Sequence, residues 1–265
     1  MTKIRLITWN INSVRARIPI VEQLIKQYNP DILCLQEIKV QDHMFPKDIF
    51  NDNGYIHHAI AGQKSHHGVA TLSRLPFENI GAIDWCKKGD ARHVEVKLEN
   101  GVKLHNFYVP AGGDIPDIAL DDKFSHKMDF LSEMSRWSDS LPKNEAHILV
   151  GDLNIAPLQS DVWSHKQLLK VVSHTPIECD ALNEIQENHA WFDVMRHFVP
   201  EPKRLYSWWS YRAKDWRSSD KGRRLDHIWC SPLLKDNMKS MQIIEDARGW
   251  EKPSDHAPVM VDIKF

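Results

Sequence analysis

Asp31-Ile32-Leu33-Cys34-Leu35-Gln36-Glu37-Ile38 decides the reading of this chain. The short apolar run reads as a strand buried on both faces, as in a sheet covered by helices. Just upstream, Val21, Leu24, Ile25 and Tyr28 fall at helical spacing, and Pro30 ends that helix. Residues 4–11 alternate as a strand does. Strand, helix, strand is therefore the opening unit. Downstream, residues 93–98, Asn100-Gly101 and residues 102–109 predict a hairpin, since Asn-Gly suits a type I′ turn. Phe124, Met128, Leu131, Met134, Trp137 and Leu141 form a one-sided stripe that predicts a helix facing the core. Further strands are expected over 147–153, 225–230, 241–245 and 258–263, with a short helix near 180–187. With no repeat, linker or low-complexity tract, the expectation is one mixed α/β domain over residues 1–265.

Composition excludes several classes. The 34 Lys and Arg against 36 Asp and Glu leave a formal charge of -2, so the chain does not coat DNA by bulk positive charge. With 42% hydrophobic and 26% charged residues, neither extensive disorder nor a collagen-like repeat is expected. The deviation lies in 10 Trp and 15 His, which imply a use for aromatic faces and imidazoles. Cys34, Cys86, Cys179 and Cys230 lie far apart, and no Cys-x-x-Cys marks a zinc knuckle or disulfide framework. Reduced thiols in a cytoplasmic protein are expected. The first ten residues lack the apolar region of a secretory signal, and no stretch approaches the roughly 18 apolar residues of a membrane span.

Chemistry is indicated where polar residues interrupt or end strands that should be buried, because an unsatisfied polar group there is costly. In Thr8-Trp9-Asn10-Ile11-Asn12 the two amides would share one face of an extended chain, although strand-end turn residues would read the same way. Glu37 ends its apolar strand, where a cation at a site or a salt bridge to Lys39 would satisfy it. Gly151-Asp152-Leu153-Asn154 sets an acid and an amide side by side with Leu153 turned to the core, and it also suits an Asx-turn. Asp226 interrupts Arg224-Leu225-Asp226-His227-Ile228-Trp229. Prolines restrict Lys252-Pro253-Ser254-Asp255-His256-Ala257-Pro258, so that Asp255 and His256 can be aimed at one place. Four carboxylates, three amides and one histidine suit a hard cation, Mg²⁺ or Mn²⁺, better than zinc. Such a set points to phosphoryl chemistry, in which a carboxylate takes the proton of an attacking water. Neither a P-loop, a Gly-x-Ser-x-Gly nor a His-Glu-x-x-His is present.

In order along the chain, Thr8-Trp9-Asn10-Ile11-Asn12, Leu35-Gln36-Glu37-Ile38-Lys39, Gly68-Val69-Ala70 and Asn106-Phe107-Tyr108-Val109-Pro110 are followed by Gly151-Asp152-Leu153-Asn154 and Tyr206-Ser207-Trp208-Trp209. Arg224-Leu225-Asp226-His227 and Ser254-Asp255-His256-Ala257-Pro258 complete the set. Together they resemble the exonuclease III family of bacterial apurinic/apyrimidinic endonucleases, within the endonuclease/exonuclease/phosphatase superfamily. The resemblance covers essentially the whole chain. It implies a four-layer α/β sandwich in which two packed mixed β-sheets are flanked by helices. It also implies a monomeric, Mg²⁺- or Mn²⁺-dependent DNA repair nuclease. The implied activities are 3′→5′ exonuclease on duplex DNA, incision 5′ to abasic sites, and removal of 3′-phosphates and other 3′ blocks.

By the same resemblance, Glu37 is the principal metal ligand, with Asn10, Asn12 and Asp255 close to the ion and Asp152 and Asn154 near a second position. Asp152 would deprotonate the water, with Asn154 assisting, and His256 would donate to the scissile phosphate with Asp226 fixing its tautomer. Tyr108, which bare sequence would read as a hairpin-edge aromatic, would bond a phosphate oxygen. DNA contacts are expected from Lys39, Trp208, Arg212, Arg223, Arg224, Leu225 and His256, with Trp208 and Leu225 lining a pocket for an extruded abasic sugar. Residues 200–224 carry eight Lys or Arg against three acids among Trp208, Trp209 and Trp216, a composition suited to phosphates and disrupted stacks.

Some positions depart from relatives. Ala111 stands where many members carry Asn or Gln, Gly112-Gly113-Asp114 supplies no basic wedge, and Arg223 takes a place that is apolar in several members. His66 and His67 are read as surface residues that could touch phosphate. A less selective deoxyribonuclease, a lipid or inositol-phosphate phosphodiesterase, and an inactive DNA-binding scaffold are the competing readings. The basic aromatic stretch argues against the lipid enzyme, and the complete polar set against the scaffold.

Overall fold

Residues 2–213 and 215–265 are described by a computed structural model; Lys214, one of the eight basic residues of the 200–224 stretch, lies outside them. Among the described residues, fourteen strands form two large sheets and a small ribbon. In chain order the first seven are β1 (Lys3–Asn10), β2 (Ile32–Gln36), β3 (His57–Ala61), β4 (Val69–Ser73), β5 (Phe77–Gly81), β6 (His93–Leu98) and β7 (Lys103–Tyr108). The others are β8 (His147–Asp152), β9 (Phe192–Asp193), β10 (Trp208–Trp209), β11 (Gly222–Arg223), β12 (Asp226–Cys230), β13 (Met238–Ile243) and β14 (Val259–Lys264).

All five residues of β2 are buried, as its unbroken apolar run requires. The strand lies parallel to β1, joined by the helix Ile18–Tyr28. That helix ends where Asn29 adopts a left-handed conformation and its N–H bonds the Ile25 carbonyl, with Pro30 preventing continuation. One sheet has the order β13-β14-β1-β2-β4-β3 and the other β5-β6-β7-β8-β12-β9, and in the second β7 and β8 are the parallel pair. Both sheets are therefore mixed.

Three apolar clusters define the layers. One, including Leu6, Cys34, Val96, Leu104, Val150 and Val261, fills the space between the sheets. A second packs Val21, Leu24 and Phe50 onto the outer face of the first sheet. The third packs the helices Asp122–Ser140 and Pro176–Asn188 onto the outer face of the second. The result is the expected four-layer α/β sandwich. No helix among the described residues is long and apolar enough to cross a membrane.

Local details correct several expectations. The β6–β7 turn is not type I′, because that turn needs positive φ at two central residues and only Gly101 has it, at 87°. Leu98 instead pairs with Val102 around a three-residue loop closed by a Gly101 N–H to Leu98 carbonyl bond. The 241–245 strand begins earlier, as β13, and the 180–187 helix extends to Pro176–Asn188. Its start is set by Pro176 in the first turn and by Glu178, whose carboxylate accepts from Thr175 N–H and hydroxyl. In the stripe of the long helix Phe124, Leu131 and Met134 are buried and Met128, Trp137 and Leu141 only partly so, while Phe130 and Lys127, outside the expected stripe, are fully buried.

Much of the histidine and tryptophan surplus sits in this core. His93, His105 and His147, on three adjacent strands, stack with interplanar angles of 15° and 17°. Their nitrogens meet at 3.4 Å and 3.0 Å, each Nε2 facing the next Nδ1. Neutral rings satisfy that pattern, with His105 in the middle donating once and accepting once. Burial holds His93 down to about 3 and His147 to about 4, and places His105 well below its ordinary range. His227 falls to about 4, with burial as the main cause. Because folding depresses these values, the neutral-ring contribution is complete above the unfolded value of about 6.5 and is lost as pH falls toward the folded values. These buried rings should accordingly make the melting temperature fall steadily from pH 6.5 to 4. A melting curve that stays unchanged over that acid range would contradict the neutral stack.

Candidate active site

Strand direction decides where the polar residues gather. β1 and β2 are parallel, as are β7 and β8, so Asn10, Gln36-Glu37, Tyr108 and Asp152 all come to one edge of the sandwich. β12 is antiparallel to β8 and brings Asp226 directly opposite Asp152, while β14 is antiparallel to β1 and is preceded by Asp255-His256. Gly151 makes the approach of β8 to β7 possible. Its φ is 137°, and a Cβ there would stand 1.9 Å from the Phe107 carbonyl oxygen, so only glycine fits beside Asp152.

Two carboxylates facing each other across strands repel. His256 lies between them, with Nδ1 2.8 Å from Asp226 Oδ2 and Nε2 3.6 Å from Asp152 Oδ2. Burial works against the imidazolium, yet Asp226 and Asp152 outweigh it and raise the His256 pKa. Asp152 is raised as well: burial, helped by Asp226 and Glu37, holds its carboxyl above the ordinary range against the pull of His256. The His256 loop is fixed by Trp9 Nε1 donating to the His256 carbonyl at 2.9 Å and by Ser254 Oγ donating to the Asn10 carbonyl at 2.6 Å. Ser254 and Trp9, more than the two prolines, aim this loop.

Asn10 joins the halves, because its Nδ2 donates to Glu37 Oε1 at 2.9 Å and to Asp152 Oδ2 at 2.8 Å. The Tyr108 hydroxyl donates to the same Glu37 oxygen at 2.9 Å, and burial with Glu37 raises its pKa far above the ordinary phenol value. For Glu37, burial opposes ionisation, but Lys39 and the hydrogen bond from Asn10 keep it below its usual value. Asn12 does not share a strand face with Asn10, since the strand stops at Asn10 and Asn12 has φ 47°. It reaches the site through an Asx-turn, its N–H on Asn10 Oδ1 at 3.1 Å, and its Nδ2 lies 3.2 Å from Asp255 Oδ1. Asp152 and Asn154 likewise form the Asx-turn, Asn154 N–H to Asp152 Oδ1 at 2.9 Å, while Asn154 Nδ2 sits 3.3 Å from Asp152 Oδ2. Turn and site are one arrangement.

The oxygens suit a hard cation near Glu37. Lys39 Nζ already lies 2.7 Å from Glu37 Oε2 and 2.7 Å from Asn12 Oδ1, a positive charge cradled by two members of the expected ligand set. Asp152, Asp226 and His256 also converge, but a protonated His256 makes that trio a poor cage. In front of these groups lies a cavity of about 600 Å³, whose walls include Tyr108, Trp208, Arg212, Arg223 and Leu225. A cavity of about 700 Å³ lined by Trp163, Glu201 and Arg204 contains none of the expected site residues.

Residues 7–256 match the endonuclease/exonuclease/phosphatase family. The chain belongs to that family. It is 32% identical to exodeoxyribonuclease III of Haemophilus influenzae, over 98% of this chain and 100% of the relative. Among solved structures, an AP endonuclease from Archaeoglobus fulgidus superposes with a TM-score of 0.91 at 31% identity, covering 99% of this chain and 100% of that one. A 3′ phosphatase from Neisseria bound to a product DNA hairpin superposes with a TM-score of 0.90 at 27% identity, with the same coverage.

Within this endonuclease/exonuclease/phosphatase fold, one expected DNA contact is corrected. Arg224 is buried and its guanidinium is held by Asp161 at 2.8 Å and Asp193 at 2.6 Å, so it braces loops and is closed to DNA. Arg212 is exposed at the rim, Lys39 is partly buried, and Trp208 Nε1 donates to Asp255 Oδ2 at 2.9 Å. His66 is exposed, whereas His67 is partly buried between Arg92 and the Tyr108 ring.

Lys127 and Glu178 escaped the sequence reading, though a lysine inside an apolar stripe and a glutamate at the third position of a helix were visible. Both side chains are fully buried, and Lys127 Nζ lies 2.5 Å from Glu178 Oε1. The same ammonium donates to the carbonyls of Asn154 at 2.9 Å and Ala111 at 3.3 Å. It thus clamps two loops of the endonuclease/exonuclease/phosphatase site to the outer helices. Lys127→Met should lower unfolding free energy by about 3–5 kcal/mol, because a buried carboxylate loses its cation. Adding Glu178→Gln should recover part of that loss. Urea denaturation of the single and double variants checks both statements.

Proposed function

We propose that this chain, as a single domain over residues 1–265, is a metal-dependent DNA-repair nuclease. It would cut 5′ to abasic sites and remove nucleotides or phosphate from 3′ ends of duplex DNA. The observation that carries the reading is the Asp152–His256–Asp226 array joined through Asn10 to Glu37 at one sheet edge. Names borne by relatives, exodeoxyribonuclease III and a 3′ phosphatase seen with a product DNA hairpin, support DNA as the substrate.

Glu37, with Asn10, Asn12 and Asp255 nearby and Asp152 and Asn154 adjoining, would hold Mg²⁺ or Mn²⁺. Bound there, the ion would polarise a phosphate oxygen and stabilise the leaving oxyanion. Asp152, whose carboxyl has a raised proton affinity, takes the proton of the attacking water, and Asn154 holds that carboxylate and the water in place. As the water oxygen bonds to phosphorus, the bond from phosphorus to the 3′ oxygen breaks, and that oxygen takes a proton from solvent to leave a 3′-hydroxyl upstream and a 5′-phosphate downstream. His256 Nε2–H donates to the phosphate, with Nδ1 fixed by Asp226, and Tyr108 supplies a neutral hydroxyl donor. Lys39, Arg212 and Lys221 grip phosphates, while Trp208 and Leu225 form the wall that meets the lesion.

A labelled duplex carrying one stable abasic analogue tests the proposal. Wild-type protein with Mg²⁺ should cut on the 5′ side, excess chelator should abolish cleavage, and Asp152→Asn should lose about 10²–10⁴-fold in kcat. No cleavage by folded wild type, or full activity in the variant, overturns it.

A further inference from the structure

Arg223 lies on the wall of the catalytic cavity, opposite Trp208 in the β10–β11 ribbon. Its guanidinium stands 5.3 Å from the centroid of the Trp208 ring. One terminal nitrogen is anchored, donating to the Val172 carbonyl at 3.0 Å and to Ser173 Oγ at 2.7 Å. Among the described residues no carboxylate pairs with it. The acid that acts on it most, Glu178, is already engaged by Lys127. Its Nε is buried without a hydrogen-bond partner. A partly buried cation with no counter-charge, held by neutral acceptors and facing a cavity, is an incomplete arrangement that an anion completes.

The position of this cation bears on substrate choice. An extruded base-free sugar would need the apolar wall between Trp208 and Leu225, and the guanidinium stands over the Trp208 face. What the wall offers instead is a guanidinium whose second terminal nitrogen, Nη2, has no partner among the described residues. A phosphomonoester at a 3′ end presents one more anionic oxygen than an internal phosphodiester. It needs no room for a sugar beyond the phosphorus.

We propose that Arg223 is a specificity-determining residue. It converts the sugar wall into an anion subsite and directs the enzyme toward 3′-terminal phosphates in preference to intact abasic strands. This rests on the nuclease reading above and assigns the substrate preference of the same cavity. The two superposed structures, an AP endonuclease and a 3′ phosphatase, differ by only 0.01 in TM-score, so overall shape does not make this choice.

The test compares kcat/KM on one duplex sequence bearing either a 3′-phosphate or an internal abasic analogue, for wild type, Arg223→Gln and Arg223→Lys. Wild type should favour the 3′-phosphate. In Arg223→Gln the ratio of 3′-phosphate release to abasic incision should fall about 10- to 100-fold, as expected for loss of a charge-assisted hydrogen bond. Arg223→Lys should lie between the two. Inorganic phosphate titrated against tryptophan fluorescence should bind at least about tenfold more weakly to folded Arg223→Gln, a readout independent of turnover. An unchanged ratio, or an equal loss on both substrates, overturns the assignment of Arg223 and leaves the nuclease reading intact. Absence of cleavage on either duplex by wild type removes both.

Discussion

Two carboxylates forced to face each other are the constraint around which this edge of the molecule is built. The register of β8 with β12 places Asp152 opposite Asp226, and the sheet cannot slip to separate them without turning its buried faces outward. The repulsion is answered by the His256 imidazolium, delivered from the segment before β14. The proton on His256 therefore holds the sheets together at this edge. Asn10 extends the compensation to Glu37, so that electrostatic balance in the second sheet depends on residues of the first.

The sequence displayed the scaffold well where one physical signal dominated. The apolar run of β2, the stripe of the long helix and the ordered polar motifs were each visible, because burial on both faces, helical periodicity and interrupted strands leave direct traces in residue type. It was less informative where a side chain's partner decides its use. Arg224 and Arg223 are adjacent and alike on paper. Arg224, just past the end of β11, is held by Asp161 and Asp193, while Arg223 lies on the cavity wall. Similarly, Asn12 resembled the second tooth of an extended pair, and only the left-handed backbone shows that a turn, rather than pleat alternation, carries it to Asp255. The type I′ assignment failed for a related reason: Asn-Gly permits that turn without fixing loop length, and the pairing of Leu98 with Val102 requires one more residue.

Histidine and tryptophan abundance also divides by location. His93, His105 and His147 form a dry, neutral ladder against Trp137, far in character from the charged His256. The same side chain is thus used at two extremes of proton affinity within one fold. Net charge conceals a comparable division: a surplus of five positive charges over residues 200–224 leaves the remainder seven negative. Basic groups at the rim and acids at the strand ends give the cavity an internal polarity suited to an anionic polymer around a cationic centre.

The order of strands in the first sheet has a further consequence. β14 lies between β13 and β1, which brings strands from opposite ends of the described residues side by side. His256 enters the site with β14. Until β14 docks, the acidic edge formed by Asp152 and Asp226 lacks the imidazolium that balances it, and the flank of β1 that β14 covers stays open.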